Sequence, residues 1–507
     1  MTAAPAIAIQ EPASPTGLSK FLQVTTGVLC THLYLLAMSG ASMALPHMQG
    51  AFSAGPDQIA WVVTAFIVTV AMTNACAGWL TDHLGRRRLL LICIIGFTGA
   101  SFLCGLAESL EVEVLTRVLQ GVFCAPLAPL GQAIAVDAWP RNRQAMGTSV
   151  WSMGALWGSF IAPLAGGYLG ENLGWQWIFF MAVPVGLLTL LTGWLGVHDN
   201  RARGHTQLDW LGFFTLVLTI GSLMFALSRG ERMDWFASPQ IIVAACAAAL
   251  AAYVFVLRMA TARQPFIPLR LFKDRNYAIA LLFMFIYGIY NYLPIFVLPI
   301  ILTSVMGLTL PVVGALIATR SFGSFTSMLI VAPLADRVDM RVWLVLGFGT
   351  LMAPFWMMAR WGIDPSWTGI VLAMFLHGFG SSMPYIGISA AAFATLPFDL
   401  RSQGMSLMHL TNNMGIAIGT TAMFAFLARE MQVSYSALTQ FVSPYNEAMN
   451  SGAARNMLHL DNAHGLASMG AEVARQATMV AFNSTLQIAA YLGLIILPLL
   501  IFARVRH

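Results

Sequence analysis

Two arginines fall inside long apolar runs of this 507-residue chain, Arg117 in 114–136 and Arg320 in 311–335. A guanidinium at that depth in hydrocarbon costs at least ~2.5–3.5 kcal/mol if unpaired. Each must face a bundle interior or a wet cavity, as half of a buried structural pair or as a binding group for a charged solute. Three histidines, His32, His377 and His409, share such positions. Histidine titrates near neutrality, so each is a candidate proton carrier and equally a candidate hydrogen-bonded interior residue. His409 stands one turn before Asn412 and Asn413, which makes one polar stripe, and His377 lies near Ser381, Ser382 and Tyr385. Asn291 and Tyr292 interrupt another run beside Pro294. With Gln120 next to Arg117, these groups can line a mostly apolar cavity that carries a few fixed polar contacts. Among the 21 acids none is read in mid-span; Asp137 ends the 114–136 run near the inner face and Asp57 precedes the 58–80 run outside. A second constellation is Asp82 followed by Arg86, Arg87 and Arg88, with Gly78 and Gly85 around it. A carboxylate beside three guanidinium groups can latch two helices together, and the arginines can also snorkel to lipid headgroups.

The elements that must position these residues follow from composition. Hydrophobic residues make up 58% of the chain and charged ones 9%, against about 25% in soluble domains. A soluble enzyme, a disordered protein and a nucleic-acid binder are thereby excluded. Spans of about 20 apolar residues number 14: 24–46, 58–80, 89–107, 114–136, 144–169, 177–196, 210–228, 238–257, 277–304, 311–335, 342–359, 366–394, 403–428 and 479–503. Residues 1–20 read as a short cytoplasmic tail, without the basic-then-apolar order of a secretory signal. The six cysteines all fall in apolar runs and read as buried small hydrophobes rather than a disulfide framework. No Walker loop, metal-ligating Cys/His cluster or nucleotide fingerprint is present, so an ATP-driven pump is excluded and no metal or cofactor is expected.

With the N-terminus placed inside, 18 of the 26 Lys and Arg residues fall in inner segments and 6 in outer ones, and Arg117 and Arg320 lie within spans. That bias puts both termini in the cytoplasm. One long outer loop, 429–478, reads as polar and weakly helical with Ser443-Pro444 as a breaker. It is a solvated cap over the pore mouth or a docking surface for a periplasmic partner.

The chain also repeats itself. Leu80-x-Asp82 recurs as Leu334-x-Asp336, each with an Arg five positions after its Asp, Arg87 and Arg341, and both copies sit on the inner side after an even-numbered span. That is the mark of a parallel repeat about an axis along the membrane normal, six spans, two extra spans and six more. Gly78-x-Leu80-x-Asp82-x-x-Gly85-Arg86-Arg87 resembles the cytoplasmic loop motif of the major facilitator superfamily, and Arg117-x-x-Gln120-Gly121 resembles its fourth-span motif. Gly154-x-x-x-Gly158 followed by Ala162-Pro163-x-x-Gly166-Gly167 is similar to the fifth-span motif of antiporters. Ala44-Leu45-Pro46, Trp61-Val62, Trp175-x-Trp177-Ile178-Phe179 and Asp234-Trp235-Phe236 resemble the 14-span drug:proton antiporters of the EmrB/QacA type.

The resemblance implies an all-α polytopic membrane protein with the major facilitator fold. Its expected organisation is the tail 1–20, an N-terminal six-helix bundle 21–200, two extra spans 201–265 and a C-terminal six-helix bundle 266–507. It implies a secondary transporter, not an enzyme, that exports an organic small molecule by proton antiport and alternating access across a bacterial inner membrane, with protons, the lipid bilayer and a periplasmic adaptor as partners and no nucleic acid. Gly78, Asp82, Gly85, Arg86 and Arg87 are the expected gate, and Gly154, Gly158, Pro163, Gly166 and Gly167 the expected rocking surface. This sequence departs from the family at Ala37, where the first span usually carries an acid, at Ala182 in the sixth span and at Ser484 in the last. With two intramembrane cations and no intramembrane acid, an anionic or neutral metabolite such as a siderophore or natural product is the alternative to a cationic drug. A polytopic membrane enzyme would need clustered His, Asp or Glu at one interface, and the inner-face acids are scattered.

Overall fold

The computed structural model describes residues 17–140, 144–198, 209–262, 265–267, 269–334, 338–397, 400–442, 446 and 463–496, and among them there is no strand. Gly17–Leu35 (α1) runs through a π turn, Leu36–Gly40, into Ala41–Ala51 (α2). Pro56–Leu84 (α3), Arg86–Gly105 (α4) and Leu110–Cys124 (α5) follow, and beyond Pro126 the α5 rod continues as Leu127–Asp137 (α6). Next come Gln144–Asn172 (α7), Gln176–Phe180 (α8), Ala182–Gly196 (α9), Trp210–Arg229 (α10), Pro239–Thr261 (α11) and the short Arg270–Lys273 (α12). Arg275–Ser304 (α13), Leu310–Leu334 (α14), Met340–Met358 (α15), Trp367–Ala394 (α16), Arg401–Thr439 (α17) and Ala463–Ile496 (α18) complete the chain. Among the described residues eleven rods are long and apolar enough to cross a membrane, against the fourteen spans expected; α7, α17 and α18 are long but fall outside that criterion.

Polar residues at the helix starts set where several rods begin. Ser109 caps α5 by accepting from the Val112 amide at 3.3 Å, and Glu111 and Glu113 occupy the first turn, where carboxylates meet the positive end of the helix dipole. The helix therefore starts four residues before the apolar run at 114, and Glu113 is drawn into the rod. Asp274 and Ser366 cap α13 and α16 in the same way. At the other end of the chain, α17 reaches Thr439 and α18 begins at Ala463, so helix replaces much of the expected loop 429–478. Ser443-Pro444, the N-terminal tail to residue 16, Arg141, Arg143, Asp336 and Arg337 lie outside the described residues.

α1 packs on α6, α7 and α9, and α13 packs on α16 and α17; α14 lies along both α16 and α7, and α3 along α17. Of the most apolar stretch of α13, 78% is buried inside the protein; for α11 the share is 22%. α11 packs mainly on α10, and Val243, Leu250 and Tyr253 on its outer face are exposed, a surface suited to lipid. Arg258 Nε donates to Asp209 Oδ1 at 2.9 Å and ties these two helices together. Five cysteines are buried, as their apolar settings imply, but Cys246 on the outlying α11 is exposed.

Candidate transport site

Arg117 is fully buried and all three of its guanidinium nitrogens donate. Nε bonds the Val62 carbonyl on α3 at 3.0 Å, Nη2 the Ala37 carbonyl at 3.1 Å, and Nη1 the Gln120 Oε1 one turn along α5. Gln120 Nε2 passes the chain on to Ser101 Oγ on α4 at 2.7 Å. The Phe66 ring covers the guanidinium, its centroid 4.1 Å from Cζ. Ala37 lies in the π turn, where the i→i+4 ladder is interrupted and a carbonyl is available to a side chain. One side chain thus clamps four rods, and Gly121 beside it admits α3 closely, because a Cβ there would lie 2.9 Å from the Phe66 carbonyl oxygen.

Glu113 corrects the expectation that no acid shares the span with Arg117. It sits one helical turn before Arg117 and is 0% exposed. Its Oε2 receives a 3.4 Å contact from Thr116 Oγ1, whose better bond, 2.9 Å, goes to the Glu113 backbone carbonyl; Oε1 has no partner. His32 is half-buried, bonds the Val28 carbonyl through Nδ1 at 2.9 Å and lies against Gly158. Trp151 Nε1 reaches Thr31 Oγ1 at 2.9 Å, so α7 is hydrogen-bonded to α1 beside that histidine.

The second cation is built differently. Arg320 on α14 is half-buried; its Nε donates to His377 Nδ1 at 3.2 Å and its Nη2 to Asn291 Oδ1 at 2.5 Å. His377, fully buried on α16, engages the Tyr290 carbonyl through Nε2 at 3.1 Å. Because Nδ1 accepts, Nε2 carries the proton, and the ring has no lone pair left to act as proton carrier in this arrangement. Tyr287 and Tyr292 of α13 lie close enough for their hydroxyls to feel the Arg320 charge. Tyr385 of α16 stands with its ring centroid 6.0 Å from that of Tyr287, and Tyr34 of α1 is partly buried. The sequence singled out Tyr385 and Tyr292; Tyr34 and Tyr287 were not separable there from ordinary core aromatics. A cavity of about 100 Å³ between α7 and α14 is lined by Met153, Leu156, Trp157, Phe160, Ser321, Phe322 and Phe325; Arg320 itself is not in its wall, but Ser321, the next residue, is. His409 and Asn412 are half-buried and Asn413 is buried on α17, and the Asn412 side-chain oxygen has no partner. That stripe lies apart from the arginine sites in sequence but on a helix that packs along α3 and α13.

The gating residues divide into those in contact and those not. Gly167 lies against the Leu310 carbonyl and Gly314 against that of Pro163, so α7 and α14 meet backbone to backbone. Gly154 faces Val28, and Gly166 faces Met43 and Gly40. Gly85 turns with φ +81°, a conformation that favours glycine, between α3 and α4. Gly78, expected to permit a close helix approach, has open space where a Cβ would sit. Asp82 is half-buried near the end of α3, while the ion pair in the loop is Arg86 Nη1 with Asp137 Oδ2 at 2.5 Å, joining it to the end of α6. Arg87 Nη2 bonds the Trp194 carbonyl at 3.0 Å and so fastens α9 to the same corner.

Known proteins are similar to this chain over nearly its whole length. The multidrug export protein EmrB of Haemophilus influenzae is 28% identical over 478 residues, 92% of this chain and 93% of that protein. The fatty acid resistance protein FarB of Neisseria gonorrhoeae is 24% identical over 485 residues, 94% of each chain. Among solved structures, a bacterial homolog of the human lysosomal transporter Spinster, inward-facing and unoccupied, superimposes with a TM-score of 0.61 over 97% of this chain and 99% of that one, at 18% identity. An all-helical chain with buried intramembrane cations, whose residues 27–297 and 280–438 match the Major Facilitator Superfamily, belongs to that superfamily of membrane transporters.

Proposed function

We propose that this protein exports an organic small molecule from a bacterial cytoplasm by proton antiport and alternating access, and that its preferred substrates are anionic or neutral amphiphiles. The observation that carries the substrate reading is Arg320, a half-buried guanidinium near Tyr287 and Tyr292, one residue before Ser321 in the wall of an apolar cavity. A cation in a low-dielectric site attracts an anion several times more strongly than it would in water and repels a second cation. Apolar lining with a few oriented polar groups is the usual make-up of a small-molecule site. The FarB relative is named for resistance to fatty acids, which are amphiphilic anions, and this supports the same reading. The EmrB relatives, named for multidrug export, favour the second reading, a broad range of drugs that includes lipophilic cations.

In this reading the bundles 21–200 and 266–507 rock about the α7–α14 contact at Gly167 and Gly314, with Asp82 and the Arg86–Asp137 pair holding the inner face. Both termini are cytoplasmic, the membrane is the inner one, and a periplasmic adaptor meets the outer segment 429–478. One charge crossing ~100 mV yields ~2.3 kcal/mol. At ~1.4 kcal/mol per decade, one proton per cycle supports roughly a fortyfold substrate gradient from voltage alone. The test is transport in proteoliposomes under an imposed pH gradient, with taurocholate as a permanently anionic amphiphile and ethidium as a lipophilic cation. Gradient-driven taurocholate movement that ethidium does not inhibit is the expected result. Efficient ethidium efflux without taurocholate transport would restore the cationic-drug assignment, and transport of both at rates indifferent to the pH gradient would remove the proton.

A further inference from the structure

Glu113 is the buried ionisable group that the transport reading leaves unused. Its side chain is 0% exposed in the first turn of α5, one oxygen has no hydrogen-bond partner, and the other has a single weak contact from Thr116. Arg117, one turn further in, is the natural counter-ion, yet its three nitrogens are committed to Val62, Ala37 and Gln120. A carboxylate so placed is a desolvated ion with almost no donors, whereas a protonated carboxyl needs far less. The pocket as built fits the neutral acid. Its surroundings are otherwise quiet: Cys104 on α4 is the further titratable group near it among the described side chains, and Arg117 is its charged neighbour. The exposed Glu108 and Glu111 flank the same helix end, so water lies within one turn of the carboxyl.

We propose that Glu113 takes up and releases the coupling proton, with Arg117 as the partner its carboxylate draws when the proton leaves. The step is a simple transfer: the Glu113 O–H bond breaks, the proton passes to water, and the carboxylate keeps the electron pair. The new anion competes with the Ala37 and Val62 carbonyls for the Arg117 guanidinium, since charge-assisted hydrogen bonds are about twice as strong as neutral ones. If the guanidinium turns toward Glu113, the clamp on the π turn of the first rod and on α3 is released. Proton loss is thereby converted into freedom of two rods that line the inter-bundle space. The acid missing at Ala37 is thus replaced by one on the helix of Arg117 itself, while Ala37 still meets the arginine through its backbone.

The inference rests on the proton-coupled export reading, and its experiment keeps the two separable. Difference infrared spectra of the purified wild-type protein at neutral pH should contain a protonated-carboxyl stretch that is absent from Glu113→Gln and retained, shifted, in Glu113→Asp. This arm needs no substrate. In proteoliposomes, Glu113→Gln should lose gradient-driven taurocholate transport to the level of empty vesicles. Glu113→Asp should recover part of the gradient-driven rate, which separates titration from packing. A neutral-pH spectrum without the carboxyl band, or full gradient response in Glu113→Gln, overturns the assignment. A wild-type protein that ignores the pH gradient but shows the band overturns proton coupling and leaves Glu113 a buried structural acid.

Discussion

Arg117 is fully buried, and each of its three guanidinium nitrogens already donates to a protein acceptor. Removing its side chain strands the Val62 and Ala37 carbonyls and the Gln120 amide in a dry interior, at about 1–3 kcal/mol for each lost partner. Arg117→Ala is therefore expected to lower the unfolding temperature in detergent markedly as well as to abolish transport. Arg117→Lys keeps the charge but replaces a three-nitrogen fork by one ammonium, so it should recover part of the stability and little of the transport. Wild-type unfolding temperature in Arg117→Ala would show that the clamp does not hold the rods. The cation itself was legible in the sequence because a lone guanidinium in an apolar run is costly wherever it sits. Its partners were not, because two of them are backbone carbonyls, which leave no mark on residue type, and one is exposed to it by a π turn. Glu113 escaped for a different reason. The apolar run begins at 114, but the Ser109 cap starts the helix at Leu110, and a shift of one turn moves an acid from loop to interior.

At the scale of elements, small residues were readable as a class but not one by one. The α7 glycines follow a close-packing pattern, and the structure seats Gly154, Gly158, Gly166 and Gly167 against α1, α2 and α14. Gly78 belongs to an equally suggestive motif and faces open space. Spacing says that a helix has a smooth face; only the partner's position says whether anything is pressed against it. This contrast makes a paired prediction. Gly167→Leu must push α7 away from the Leu310 carbonyl, an overpacking of about 1–3 kcal/mol concentrated at the contact on which the bundles rock. It should stop transport by a protein that still inserts. Gly78→Ala meets nothing and removes a helix-interior glycine, so transport should be near normal and stability unchanged or up to ~1 kcal/mol higher. Transport assays at matched expression check both, and the reverse ranking would sink the contact argument.

Across the whole molecule, charge is scarce and unevenly used. The exterior is apolar, the helix ends carry the ion pairs Arg86–Asp137 and Arg258–Asp209, and the two interior arginines differ in what surrounds them. Arg117 is sealed beneath Phe66, whereas Arg320 is half-buried, with His377 and Asn291 holding two nitrogens and Tyr287 and Tyr292 of α13 nearby. The sequence treated both as equal candidates for a substrate charge; burial separates them and leaves Arg320. Two charges 4 Å apart interact by about 4 kcal/mol at an effective dielectric of 20 and by about 1 kcal/mol in water, so a half-buried guanidinium can select by sign. Hydrogen bonds to a charged group contribute about 1.5–3 kcal/mol. At 1.36 kcal/mol per decade, Arg320→Gln should then raise the KM for taurocholate by roughly ten- to a hundredfold. Ethidium should compete better in that variant than in wild type, because the repulsion is gone while the apolar cavity remains. Arg320→Lys should fall between the two, since it keeps the sign and loses the fork to Asn291 and His377. Salt should change these rankings little, because a site inside the bundle is poorly screened compared with the surface. An unchanged taurocholate KM in Arg320→Gln would mean that the guanidinium is spent on His377 and Asn291, and that the cavity selects by apolar fit alone.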